Sequence, residues 1–192
     1  MSVVPFIEGP RVLEIGHGPG HLQRVLLSRN LFAVGIDESV QMGRLAKQNL
    51  KRFSNAGTNN APYPAYAQHN LTRGVAQKLP FSNGSFDTVV ATFPAEYIFD
   101  PVTLAEAERV LKQGGRFVIL PGAVITGRGT RDRALALLFR LTRQTPPNLS
   151  EILHEKSKGP FAKAGFHLEV REIDVRSSLV FIMLATKPEI KA

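Results

Sequence analysis

A short apolar segment, Arg11-Val-Leu-Glu-Ile15, stops at a glycine-rich turn, Gly16-His-Gly18-Pro-Gly20, and the chain passes at once into helical spacing. The length and β-branched content of the first segment predict a buried strand. Leu22, Val25, Leu26 and Leu27 predict a helix from His21 to Asn30. Glycines between the two let the backbone turn sharply and let a ligand come close to the main chain. A strand, a glycine turn and a helix in that order restrict the fold to a few α/β arrangements.

The same rhythm continues. Phe32-Ala-Val-Gly-Ile36 reads as a second buried strand ending at Asp37, and Ser39 to Leu50 as a helix with Ser39 as N-cap. Lys51 to Pro64 is rich in Asn, Gly, Pro and Ala and reads as a loop. Tyr63 to Gln68 reads as a short strand. Phe86 to Ala91 is a further strand, introduced by the turn residues Ser82-Asn-Gly-Ser85. Pro101 to Leu111 reads as a helix stopped by Gly114-Gly115, and Arg116 to Leu120 as the next strand. Alternating strands and helices with near-continuous apolar strands imply a parallel sheet covered on both faces.

Phe166 to Val175 and Leu179 to Thr186 break the rhythm. Only a few residues join them, too few for a parallel crossover, so they pair antiparallel. The expected fold is α/β: a Rossmann-like, doubly wound, mostly parallel sheet with a C-terminal antiparallel hairpin. The 192 residues suit one domain.

Composition excludes several function classes. The chain has no cysteine, which removes disulfides, thiolate catalysis and cysteine-bound metals and fits a cytoplasmic protein. No apolar run reaches transmembrane length, and Met1 to Pro10 lacks the pattern of a signal peptide. His69, His154 and His167 show no metal-ligand spacing, so no metal is expected. The net charge of +8 is spread along the chain, with 12 basic and 9 acidic residues up to Leu120 and 12 and 7 after it. That distribution reads as a solvated basic surface and not as a specific nucleic-acid site.

In an open α/β sheet, nucleotide-like ligands bind in the crevice outside the carboxyl ends of the strands. Asp37, at the end of the second strand, is spaced to accept both hydroxyls of a ribose. Dinucleotide enzymes use a similar turn, but their G-x-G-x-x-G pattern needs glycine at position 21, where this chain has His21. The C-terminal hairpin is also unexpected in a plain dinucleotide-binding unit.

Val12-Leu-Glu-Ile-Gly-His-Gly-Pro-Gly-His-Leu22 resembles the first motif of class I S-adenosylmethionine (SAM)-dependent methyltransferases. Val34-Gly-Ile-Asp-Glu-Ser39 followed by Met42 resembles their second. Leu79 to Val90 is similar to the LPF…SFD segment of the ubiquinone/menaquinone biosynthesis (methyltransferase type 11) subgroup, and Arg109 to Arg116 to its RVLxxGG element. The resemblance runs from about Arg11 to Leu120.

It implies a SAM site with S-adenosylhomocysteine as product. Glu14, Gly20 and the backbone of Ile15, Gly16, His17 and Gly18 would serve the methionine end. Asp37, with Glu38 beside it, would take the ribose, and Met42 would pack on adenine. Ala76 stands where the family uses a backbone amide for the adenine ring, flanked by Val75 and Gln77. Phe93 and Pro94 stand where a backbone carbonyl meets the SAM ammonium. The chain departs from the family at Val75, where relatives carry an acid. It also departs before the first strand, where only Met1 to Pro10 replace the usual capping helices.

Methyl transfer needs positioning first and a base only where the acceptor must lose a proton. Glu96 and Tyr97, after the fourth strand, are the catalytic candidates, as base or as hydrogen-bond orienter. His17 and His21 are secondary candidates for substrate contact. Arg131 to Arg143 reads as a basic, apolar helix in the region, residues 131–160, where relatives build a substrate lid. Such a lid would admit a lipophilic metabolite or rest on a membrane surface. A homodimer covering the N-terminal side is a further expectation. The reading is a methyltransferase acting on a small, lipophilic metabolite. The alternatives are a non-catalytic SAM-binding or partner-dependent protein and a nucleic-acid methyltransferase, although the latter's motif after the fourth strand is replaced by Thr92-Phe-Pro-Ala95.

Overall fold

The computed structural model of the chain describes residues 2–55, 70–94, 96–125, 149–175 and 178–189. Seven strands form one sheet: β1 (Arg11–Ile15), β2 (Phe32–Asp37), β3 (Leu71–Arg73), β4 (Phe86–Thr92), β5 (Leu111–Ile125), β6 (His167–Val175) and β7 (Ser178–Thr186). Their order is β3-β2-β1-β4-β5-β7-β6. The first five pair parallel with their neighbours, and β7 pairs antiparallel with both β5 and β6. The expected mostly parallel sheet with a C-terminal hairpin is therefore present.

Side chains alternate across this sheet because a strand repeats every two residues. Leu13, Val89, Phe117 and Ile119 enter the core on one face, and Val12, Val90, Val118 and Ile182 enter the core on the other. The first face is covered by α3 (Pro101–Val110), by α4 (Leu149–Lys163) through Phe161, and by a 3-10 turn, Glu96–Phe99, through Ile98. The second is covered by α1 (His21–Ser28) through Leu22 and Leu26, and by α2 (Val40–Asn55) through Ala46 and Leu50. Among the described residues, no helix is long and apolar enough to cross a membrane.

The N-terminal residues complete the second face. Val3 and Val4 are buried in its core, with Phe6 and Ile7 packed against it. The Thr88 hydroxyl accepts from the Glu8 N–H at 3.0 Å and donates to the Glu8 carbonyl at 2.6 Å. Arg116 pairs with the Glu8 carboxylate at 2.7 Å. This segment acts as a strap on the sheet.

Several boundaries differ from the expectation. The second helix runs on to Asn55 through residues expected to be a loop; half-buried Phe53 continues the spacing of buried Ala46 and Leu50, and its ring lies under Arg24. The third strand is Leu71–Arg73, three residues whose brevity hides them from pattern reading. The expected strand at 63–68 and the expected helix at 131–143 lie outside the described residues. Of the expected lid, residues 149–160 lie in α4, which packs against β6, α3 and the 3-10 turn. Gly114 and Gly115 do not stop α3: Leu111 is already extended (ψ 140°), and the helix starts on the Asp100 carboxylate, which accepts from the Val102 N–H. Gly115 is required by crowding, since a Cβ there would lie 2.9 Å from the Lys112 carbonyl and 3.0 Å from that of Asp87.

Replacing Thr88 by the isosteric valine keeps the volume but strips both hydrogen bonds from the strap. Chemical denaturation should register a loss of about 1–3 kcal/mol, the range for orphaned polar groups; an unchanged midpoint would show that the strap does not stabilise the fold.

Candidate functional site

The carboxyl ends of β1, β2 and β4 open onto a cleft of about 420 Å³. Its floor is the β1–α1 turn. Gly16 donates its N–H to the Ile36 carbonyl at 2.8 Å, which folds the turn over the end of β2. Gly16 has a φ of +72°, and a Cβ there would lie 2.8 Å from the Tyr97 hydroxyl, so glycine satisfies both the backbone and the space.

Asp37 holds the turn in place. One carboxylate oxygen accepts from the Gly18 N–H at 2.9 Å and the other from the Ser39 N–H at 2.8 Å. Ser39 in turn caps α2, its hydroxyl accepting from the Met42 N–H at 3.3 Å. The Asp37 carbonyl accepts from the Gly74 N–H at 3.1 Å, tying in the segment after β3. A carboxylate offers about four lone-pair sites. Two are used here, which leaves two for a ligand with paired hydroxyls.

From one side to the other, the cleft is walled by Gly74 to Gln77 after β3, by Asp37 and Glu38 after β2, by Ile15 and Gly16 of β1, and by Thr92 to Pro94 after β4, with Tyr97 above. Asp37 and Glu38 are the acidic groups among the described lining residues, and no cation stands with them. Burial, then the charges of Asp37, Glu38 and Glu14, push the Tyr97 phenol up to about 12. The Tyr97 phenol therefore keeps its proton at neutral pH.

The structure brings together Ile15, Gly16, Asp37, Glu38, Val75, Ala76, Gln77, Phe93, Pro94 and Tyr97 of the expected site. Glu14, His17, Gly18, Gly20 and Met42 do not line the cleft. Glu14 follows the alternation to the other face, where it is buried and accepts from the Gln23 amide at 2.9 Å. His17 is buried too; its Nδ1 lies 2.7 Å from the Gly18 carbonyl and its ring packs over Gly35, so it is not a substrate contact. Gly18 spends its N–H on Asp37, Gly20 N-caps α1, and Met42 is half-buried on the first turn of α2. His21 is exposed at the start of α1. Glu96 begins the 3-10 turn, and its side chain lies outside the described residues. Ile36, Gly74 and Thr92 were not expected in the cleft, although each stands at or just after the end of a strand that points to it.

A model of the methyltransferase domain matches residues 13–119, more than half of the chain. The chain belongs to this family. Within it, the chain resembles class I SAM-dependent methyltransferases of the ubiquinone/menaquinone type. Demethylmenaquinone methyltransferase of Tropheryma whipplei (strain Twist) is 33% identical over 112 residues, 58% of this chain and 41% of that protein. Ubiquinone/menaquinone biosynthesis C-methyltransferase UbiE of Geotalea uraniireducens is 29% identical over 121 residues, 61% of this chain and 47% of that protein. The match thus spans somewhat under half the length of these curated relatives. A solved SAM-dependent methyltransferase of Methanosarcina mazei superposes with a TM-score of 0.63 at 20% identity, covering 99% of both chains, and so shares the fold.

Two side chains of the site region carry measurable costs. Burial raises the Glu14 carboxyl from its ordinary 4.5 to about 8. The folded state then holds a proton that the unfolded state releases, so stability is full below about pH 4.5 and falls as pH rises towards about 8. Glu14→Gln should remove that slope and be more stable than the parent at pH 9 in urea denaturation; parallel pH curves for the two would contradict it. Phe93 is 63% exposed and sits at φ +51°, a left-handed conformation that costs a non-glycine residue about 1–3 kcal/mol. Phe93→Gly should match or exceed the parent's melting temperature; a clear drop would mean that the ring contributes packing that outweighs the strain.

Proposed function

We propose that the cleft binds SAM and that the chain transfers its methyl group to a small, lipophilic metabolite. The observation that carries this reading is the Asp37 clasp: a carboxylate that closes a glycine turn at the carboxyl edge of the sheet and keeps two acceptor sites free. Several features of the site fit the cofactor. A volume of about 420 Å³ lies within the range of small-ligand pockets. Carboxylates without a facing cation suit a ligand bearing sulfonium and ammonium charges. When bound, SAM supplies an electrophilic methyl group on a cationic sulfur.

The residues divide the work across the cleft. Asp37 accepts the ribose hydroxyls and fixes the ligand along the sheet edge. Gly16, having no Cβ, lets the Tyr97 hydroxyl come close over the main chain of the turn. The Tyr97 hydroxyl, held protonated, donates a hydrogen bond and orients; Glu96, one residue before it, remains the candidate base. Phe93 and Pro94 give the acceptor end an apolar wall, which suits a lipophilic ring. Holding acceptor and methyl in line supplies most of the acceleration in such a displacement.

The names of the curated relatives, demethylmenaquinone methyltransferase and ubiquinone/menaquinone C-methyltransferase, support a quinone-type acceptor and a methyltransferase over a non-catalytic binder. In this reading the chain is one domain and works in the cytoplasm.

Calorimetric titration with SAM and S-adenosylhomocysteine tests the site directly. The intact chain should bind both, and Asp37→Ala should weaken both at least about tenfold, the loss of one charge-assisted contact of roughly 1.5–3 kcal/mol. Equal affinity in the variant would refute the assignment of Asp37, and no binding by the intact chain would refute the cofactor.

A further inference from the structure

We propose that the base-binding end of the cleft selects a purine by its shape and not by its exocyclic amino group, so that the site accepts cofactor analogues altered at the 6-position. The inference rests on the cofactor reading above. With the ribose on Asp37 at the end of β2, the ligand has two directions along the sheet edge. The β4 side carries Phe93, Pro94 and Tyr97, where the acceptor must enter. The base therefore lies on the β3 side, against Gly74 to Gln77.

That end is poor in fixed polar side chains. The Gly74 N–H is spent on the Asp37 carbonyl at 3.1 Å, and the Val75 carbonyl on the Lys78 N–H at 3.2 Å. Ile36 presses so closely on Gly74 that a Cβ there would meet its Cδ1 at 2.8 Å, which makes the floor apolar. Val75 is 42% exposed, an apolar side chain left open at the mouth of a ligand cleft. Ala76 is buried and brings no side-chain polarity. Gln77 brings the one polar side chain of the four. It is exposed, and its amide presents a donor and an acceptor alike. An exocyclic amino group is a donor that a fixed acceptor would distinguish from a hydrogen atom or an alkylamino group. An exposed amide that turns freely does not, and an open valine offers an added methyl group an apolar contact.

The expected consequence is weak discrimination. Sites built to hydrogen-bond a group reject analogues lacking it by about 10⁴–10⁵-fold, whereas apolar pockets discriminate by only about 10–200-fold per methylene-sized change. An open apolar wall should fall below even that range.

Calorimetry on the intact chain should compare S-adenosylhomocysteine with its N6-methyl and its 6-deamino (purine) analogues. Affinities of all three within about threefold are expected. Val75→Asp, at an exposed position, places a fixed acceptor on the wall and should create a preference for S-adenosylhomocysteine of about tenfold, the effect of a polar group left unpaired. Binding of either analogue to the intact chain at least tenfold more weakly than S-adenosylhomocysteine would overturn the proposal and leave the cofactor reading standing. Failure of all three to bind would overturn the cofactor reading and this inference with it.

Discussion

The carboxylate of Asp37 is the interaction on which the cleft depends. It receives the Gly18 N–H from the β1–α1 turn and the Ser39 N–H from the start of α2, while its main-chain carbonyl receives the Gly74 N–H from beyond β3. Three segments distant in sequence are fixed by one residue at the end of β2, the strand next to the sheet edge. The bonds to the carboxylate are charge-assisted and stronger than neutral ones. Without them the glycine turn would keep its bonds to the Ile36 carbonyl but lose its tie to the start of α2.

The alternation of side chains across the sheet decides what else reaches the cleft. Ile15 and Ile36 end adjacent strands on the face that the cleft shares, and Glu14 is turned to the opposite face beneath Gln23. A buried carboxyl there is costly as an anion. It is retained as part of the connection between β1 and α1, with Gln23 also donating to the Val34 carbonyl at 3.3 Å. The strap of N-terminal residues has a comparable structural role at the other end of β4, where Thr88 and Arg116 hold Glu8 and bring Val3 and Val4 onto the sheet.

Charge is distributed against the overall balance. The chain carries a net +8, yet the described charged groups of the cleft are both carboxylates. A basic exterior and an acidic cleft separate two electrostatic tasks. The exterior attracts anions generally, and the cleft favours a cationic ligand locally. Net charge computed from sequence points to the first and is silent about the second.

The sequence alone carries the alternation of strands and helices apart from the short β3, the C-terminal hairpin, the glycine turn and the acid that follows it. Each depends on neighbouring residues: apolar runs, turn residues and short connections act locally, so a one-dimensional reading finds them. It also placed ten of the expected residues at the cleft, because they stand at the carboxyl ends of strands, where this fold puts ligands. Only packing turns Glu14 and His17 away, spends the Gly18 N–H on Asp37, ends α3 before its glycines and lays Val3 to Glu8 on the sheet as a strap. Glu14 and His17 depend on which face a side chain takes, and Gly18 and the strap on partners 19 and 80 residues away in the chain. Contacts at such separations are made by packing, and no local pattern records them.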